Sequence, residues 1–408
     1  MKKHIVILLP FLAVTLAGCS LPTQPPTDTA APADTTQPTP PQGFSQQIEK
    51  GSVWKSNDGG KTFVVKSTVN EQSIIEKADV LSMAFHPTKP GSLVIGSVDN
   101  GIFKTDNGGE TWTPIVFPPK RIYSFILDRR DPDNRMFASG VVDNTAKIFR
   151  SDDGGANWNA IYTEPGLKNV ISSLAQDPRN PDVLYAGTST GTLVKSTDAG
   201  ETWRNMSGAS KGNVVISEIG FDAQDPGVVY LLLFNKEVRL SKDGGETWVD
   251  FEKERTAESD ALQKQSQALR QKGNTAEAAK IDAQIAARTS TGNGGSIPNQ
   301  VLSLTTDPSR TGVLYAGTPS GLYRSTDFGK YWEQLNIIES AKKFPIRAVA
   351  VDPKNPSNIV FSSGNVLYRS GDSGATWTVT PLSTDRTPYV IAYDPLDSKY
   401  MFLGLRKF

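Results

Sequence analysis

The chain has 408 residues, 43 basic and 43 acidic side chains, two histidines and one cysteine. The cancelled charge gives no electrostatic reason to expect nucleic acid, and no basic run is interleaved with aromatics. A single cysteine excludes an internal disulfide, and His4 and His86 alone leave no material for a Ser-His-Asp triad or a His-based metal site.

Lys2-Lys3-His4 is a basic start, and Ile5 to Ala17 is an apolar stretch too short for a comfortable transmembrane span. It ends in Leu16-Ala17-Gly18-Cys19, which resembles a bacterial lipobox. The resemblance implies a signal peptide over 1–19, a lipid on Cys19 and an extracytoplasmic place in a bacterial cell envelope, periplasmic or at the surface. Residues 20–47 hold seven prolines and almost no large apolar side chain, so they read as a disordered tether.

From there a single turn recurs. Its pattern is S-x-D-x-G-x-T-W, at Ser56 to Phe63, Thr105 to Trp112, Ser151 to Trp158, Ser196 to Trp203, Ser241 to Trp248, Ser325 to Trp332 and Ser370 to Trp377. The Asp position is filled by Asp58, Asn107, Asp153, Asp198, Asp243, Asp327 and Asp372. A short polar side chain there can accept bonds from the backbone N–H groups that follow, and glycine takes positive φ without steric cost. The closing aromatic is Trp112, Trp158, Trp203, Trp248, Trp332 or Trp377, with Phe63 in the first copy. Such large rings fit between neighbouring sheets, with one N–H each to satisfy.

Each turn ends a longer unit. Ile171 to Gln176 reads as strand a, Asp177-Pro178 as a turn, Val183 to Gly187 as strand b, Thr192 to Lys195 as strand c, then the box and strand d. The closing aromatics fall at 63, 112, 158, 203, 248, 332 and 377, a spacing of 45 to 49 residues broken by one step of 84. Four-stranded units at this period predict an all-β fold, a β-propeller over 48–408. The first box has strands c and d alone. The end of the chain, Tyr389 to Leu405, has strands a and b alone. Joined, they make a seventh blade that closes the ring.

The long step holds an insertion over 252–295. Ala257 to Lys272 and Thr275 to Arg288 are rich in helix formers, with Gly273-Asn274 between them. Leu262 and Leu269 make a thin apolar stripe on one helix, Ile281 and Ile285 on the other. The prediction is a helical hairpin that rises after strand d, on the face opposite the boxes, as a partner-binding arm beside the channel. Thr289 to Gly295 reads as a flexible return.

The boxes are similar to the Asp-box, or bacterial neuraminidase, repeat. With the D-P-x-x-P-x-x-x-Y-x-G-T stretch before them, they resemble sortilin-type receptor domains, seven-bladed photosystem II assembly factors and xyloglucan-cleaving glycoside hydrolases. The resemblance covers 48–408 apart from the insertion. Sialidases share the box, but their early Arg-Ile-Pro motif is missing. The xyloglucan-cleaving family carries an Asp in a T-D-x-G-G stretch at the b–c loop, where this chain has Ser97-Val98-Asp99-Asn100-Gly101. That likeness makes Asp99 a candidate catalytic carboxylate. Asp143 and Glu237, at the same end of other blades, are the candidates for a second. The family sets its cleft between two propellers, whereas this chain has one.

The expectation on sequence is therefore a lipid-anchored, non-enzymatic scaffold. It would be a monomer holding a protein or glycan partner on the channel face, without cofactor, metal or nucleic acid. The alternative is an Asp-box glycoside hydrolase acting on a polysaccharide.

Overall fold

The computed structural model describes residues 49–408 apart from 68–74, 120, 211, 226, 290–292, 299 and 338–344. The signal peptide, Cys19 and the Pro-rich tether lie outside the described residues. Among those described, the strands form seven antiparallel sheets, six of them with four strands or more. The a strands pack against one another in a closed circle around the axis, from Val80–Phe85 round to Thr387–Tyr393 and back. This is the predicted seven-bladed ring.

Its last blade is stitched from both ends of the repeat region. In the order d-c-b-a it runs Val64–Val65, Val53–Ser56, Met401–Arg406, Thr387–Tyr393. Trp54 pairs with Leu403 and Lys55 with Phe402. No blade is left with an open side toward a gap in the ring, which removes the edge that an open array would expose.

The boxes form as their composition requires. In Ser241–Trp248, Asp243 Oδ1 accepts from Ser241 Oγ (2.7 Å) and from the Thr247 N–H (2.8 Å), and Oδ2 accepts from Thr247 Oγ1 (2.6 Å). The Gly245 N–H donates to Ser241 Oγ (2.7 Å). The same bonds recur around Asp58, Asp198 and Asp372. Gly244 and Gly245 sit at φ 68° and 91°, where a side chain would strain the backbone. The closing Trp rings fall between blades as expected. Trp112, Trp158 and Trp377 donate to the carbonyls of Lys66, Val116 and Asn336 in the preceding blade.

The blades interlock through glycines near the end of strand b. A Cβ on Gly187 would stand 2.5 Å from Ile216 Cγ2, and on Gly317 2.6 Å from Ile346 Cγ2. Gly96 with Ile122 and Gly404 with Val80 repeat the arrangement. The missing side chain thus makes room for the branched residue that starts the next blade, and close packing follows.

His86 takes the seat that Asp fills in the other a–b turns. Asp177 Oδ1 accepts from the N–H groups of Arg179 and Asn180. His86 Nδ1 accepts in the same way from Thr88 (3.2 Å) and Lys89 (3.1 Å). An accepting Nδ1 requires a neutral ring, and burial, against the pull of Asp133, pushes its pKa below the usual histidine value.

The insertion forms the helical hairpin, α1 over Phe251–Gln271 and α2 over Thr275–Thr289. Its position differs from the prediction. The fourth blade has three strands, Ile216–Phe221, Val229–Leu233 and Glu237–Ser241, and α1 starts where strand d would run. Asp250 ends that strand path by capping the helix, its carboxylate accepting from the Lys253 N–H (3.1 Å). The base of the hairpin then docks on the next blade's box. Glu258 accepts from Tyr331 Oη (3.1 Å) and pairs with Lys330 (2.5 Å) and Arg288, while Arg255 donates to the Lys330 carbonyl (3.1 Å). The hairpin is therefore anchored on the box side of the outer rim, away from the channel mouth. The predicted flexible return also becomes structure, since Asn293–Gly295 adds a fifth strand beside Trp332–Gln334.

Leu262, Leu269, Ile281 and Ile285 are half-buried. They lie on the helix faces that carry Ser266 and Ala278, both buried, and Ser266 donates to Asp282 (2.6 Å) across the seam. The stripes lie toward the seam between the helices, and Leu262 and Ile285 also line an open cleft with Ser259, Arg288 and Tyr331.

Candidate functional site at the channel mouth

The central channel opens on the face opposite the boxes into a cavity of about 480 Å³, within the range of small-molecule sites. The first turn of each a strand builds its wall. In five blades the a–b register shifts by one residue there, a β-bulge that leaves Leu81, Ser172, Ser217, Arg347 or Tyr389 unpaired. Bulges turn a side chain away from the sheet plane. These five residues line the cavity, together with Tyr123 and Leu302 from the remaining two blades.

The next position forms a second ring, recognised by its pairing near the end of strand b. It holds Ser82, Ser124, Ser173, Ser303, Ala348 and Val390, all small or apolar, and in the fourth blade Glu218. Glu218 lines both the mouth and the chamber below it. Among the described residues it is the one carboxyl in the wall of the mouth. Its Oε2 accepts from the Leu304 N–H of the neighbouring blade (3.1 Å). It stays half-accessible to channel water, but protein surrounds it. Burial pushes its pKa up to about 8, against the one backbone bond that favours the anion. At neutral pH it is mostly the protonated acid.

Three guanidiniums share the mouth: Arg121, Arg347 and Arg406. Arg121 is exposed at the rim, donates to the Val98 carbonyl (3.2 Å) and pairs with Asp99 (3.2 Å). Arg347 stands over the Phe408 ring (4.7 Å), and Arg406 over Phe408 (5.1 Å) and Tyr389 (5.3 Å). The Tyr389 pKa is raised by burial first and by the Glu218 charge next.

Of the predicted carboxylates, Asp99 sits on the rim, exposed and held by Arg121, next to Val98 in the wall. Asp143 (φ 52°) and Asn144 (φ 59°) form a tight exposed hairpin turn, and Glu237 begins a c strand. Neither Asp143 nor Glu237 lines the cavity. The structure thus brings Asp99 near the mouth and leaves the other two out. Sequence reasoning missed Glu218. Its signal was a lone charge in strand a, Ile216-Ser217-Glu218-Ile219, where Ile171-Ser172-Ser173-Leu174 carries serine.

The boxes agree with a family model that this chain matches. Residues 146–293 match the sortilin (neurotensin receptor 3) family, and residues 322–335 match the BNR-Asp box repeat. The chain is a seven-bladed Asp-box propeller. The propeller is 26% identical over 144 residues to a xyloglucanase of Hypocrea jecorina, a stretch covering 34% of this chain and 17% of that enzyme. In structure it resembles the GH74 xyloglucanase of Xanthomonas campestris, with a TM-score of 0.57 and 18% identity, covering 81% of this chain and 51% of that one. It also resembles YCF48 bound to D1 peptide, with a TM-score of 0.54 and 14% identity, covering 80% and 92%. The propeller thus spans about half the length of the GH74 structure, and a smaller share of the curated enzyme. The xyloglucanase matches correct the expectation of a non-enzymatic scaffold, because these relatives found by sequence are glycoside hydrolases.

Proposed function

We propose that the protein is an Asp-box glycoside hydrolase that cleaves a polysaccharide at the channel mouth. The sequence match to a xyloglucanase carries the reading, and the state of Glu218 supports it. Glycoside hydrolysis needs one carboxylic acid to protonate the leaving oxygen and one carboxylate to activate water or attack the sugar. Glu218 meets the first need, since its acid form persists at neutral pH. We assign the second role to Asp99, which is exposed on the rim and paired with Arg121 (3.2 Å). Arg121 orients it there. The lipobox-like Leu16 to Cys19 supports an exported enzyme anchored through Cys19, which Cys19→Ser would release from the membrane fraction.

The test is release of reducing ends from xyloglucan and a panel of other neutral and acidic polysaccharides. Glu218→Gln should lower the rate by about 10²–10⁴-fold, the usual contribution of a positioned acid, with a melting temperature no lower than that of the wild type. The wild-type rate should fall as pH rises through about 8, where Glu218 loses its proton. No release by the wild-type protein from any member of the panel, or an undiminished rate in Glu218→Gln, would overturn the reading.

A further inference from the structure

The charges around the mouth do not cancel. Among the described residues, Arg347 and Arg406 have no ion-pair partner, and the buried Nε of Arg406 has no hydrogen-bond acceptor. Only the charge of Arg121 is met, by Asp99 on the rim. Glu218, the carboxyl of the wall, makes its hydrogen bond to the Leu304 backbone and none to a guanidinium. An enclosed cation with no counter-charge is costly, so its natural complement is an anion delivered by a ligand.

The positions of the arginines point the same way. Arg347 occupies the bulge position that other blades fill with Leu81, Ser172, Ser217 and Tyr389. Arg406 ends the b strand of the adjoining closing blade. Nothing in the repeat requires a guanidinium at either place, and the two converge on one ring, Phe408. Tyr123, Phe234 and Tyr389 add aromatic surface to the same wall. Flat aromatic surface beside planar donors suits a sugar ring that carries a carboxylate.

We propose that the mouth binds the carboxylate of a uronic-acid-bearing polysaccharide, with Arg347 and Arg406 as its donors. The proposal rests on the hydrolase reading for its choice of a sugar, and narrows the substrate from polysaccharides in general to acidic glycans. An acidic peptide offers the same charge without the ring, and so is the competing occupant.

Calorimetric titration of the full chain decides it. Three probes of matched length are compared: an oligogalacturonate, a neutral xyloglucan oligosaccharide and an oligoglutamate. The oligogalacturonate should bind at least about tenfold more tightly than either of the others, and more weakly at high salt. Arg347→Gln and Arg406→Gln should each cost about tenfold against it, the scale of one charge-assisted contact, and leave the neutral probe unchanged. Arg347→Lys keeps the charge without the fork, and should retain part of the affinity; it covers the case in which Arg406→Gln unsettles the closing blade. Equal affinity for acidic and neutral sugars, oligoglutamate binding as tight as oligogalacturonate, or variants with full affinity would overturn the proposal. Tight oligogalacturonate binding without reducing-end release would sink the hydrolase and leave the acidic site standing. Release from a neutral glucan with no preference for acid would do the reverse.

Discussion

The two faces of the ring use the same strands and treat carboxyl groups in opposite ways. On the box face, Asp198, Asp243 and Asp372 each accept a Thr hydroxyl and a backbone N–H, and these bonds hold their pKa values down at about 2. At the channel mouth, Glu218 accepts one backbone bond in an enclosed wall, and its pKa rises to about 8. The box carboxylates are ionised, partly or fully exposed, and repeated around the ring. The mouth carboxyl is neutral, enclosed and unrepeated. Repetition therefore marks groups that hold the turn, and departure from the repeat marks a group with a different task.

The largest effect should come from removing what both faces share. Deleting 389–408 takes strands a and b from the closing blade and should abolish cooperative unfolding; a melt as sharp as that of the intact protein would break the closed-ring account. Next, Asp243→Ala removes a carboxylate that satisfies the turn and should cost about 1–2 kcal/mol, read from the denaturant midpoint. Glu218→Gln should act in the opposite sense. Glu218 has a raised folded pKa, so its contribution is fully present below its ordinary value of 4.5 and is lost as pH rises through about 8. The variant should match the wild type in stability near pH 4 and exceed it above pH 8. If Glu218→Gln is destabilising at high pH, the contrast between the faces fails. The smallest effect is expected at His86. Its folded pKa lies below 6.5, so its contribution is present above 6.5 and is lost as pH falls toward the folded value. His86→Asp restores the acceptor found in the other turns and should remove that loss, seen as a flatter stability profile on the acid side.

The ring was legible because its signals repeat. Ser, Asp, Gly and Trp at fixed spacing define a turn whose every side chain has a local job, and the half-units at the two ends show where the circle closes. The helices of the insertion were legible from Ala-, Gln- and Lys-rich composition. Their place was not, because a step of 84 residues looks the same whether the helices follow strand d or replace it. The cue lay in Asp250, a helix cap where strand d should have begun. At the mouth, Asp99 was visible through a local motif. Glu218, Arg347 and Arg406 were not, since they converge from three blades far apart in sequence and stand inside strands read for their apolar pattern.

The seam of the ring has a consequence in time. The bonds that close it join residues hundreds of positions apart, such as the Gly91 N–H with Asp394 at a separation of 303. Local hairpins within a blade can form as soon as they are made, but the circle waits for its last strand. Closure of so long a loop is slow, and the waiting blades present bare strands to other chains. Refolding of this protein should therefore be limited by one late, concentration-sensitive step, with yield falling as protein concentration rises. A circular permutant that begins at 384, just before the closing blade, would make that blade first and should shorten the delay.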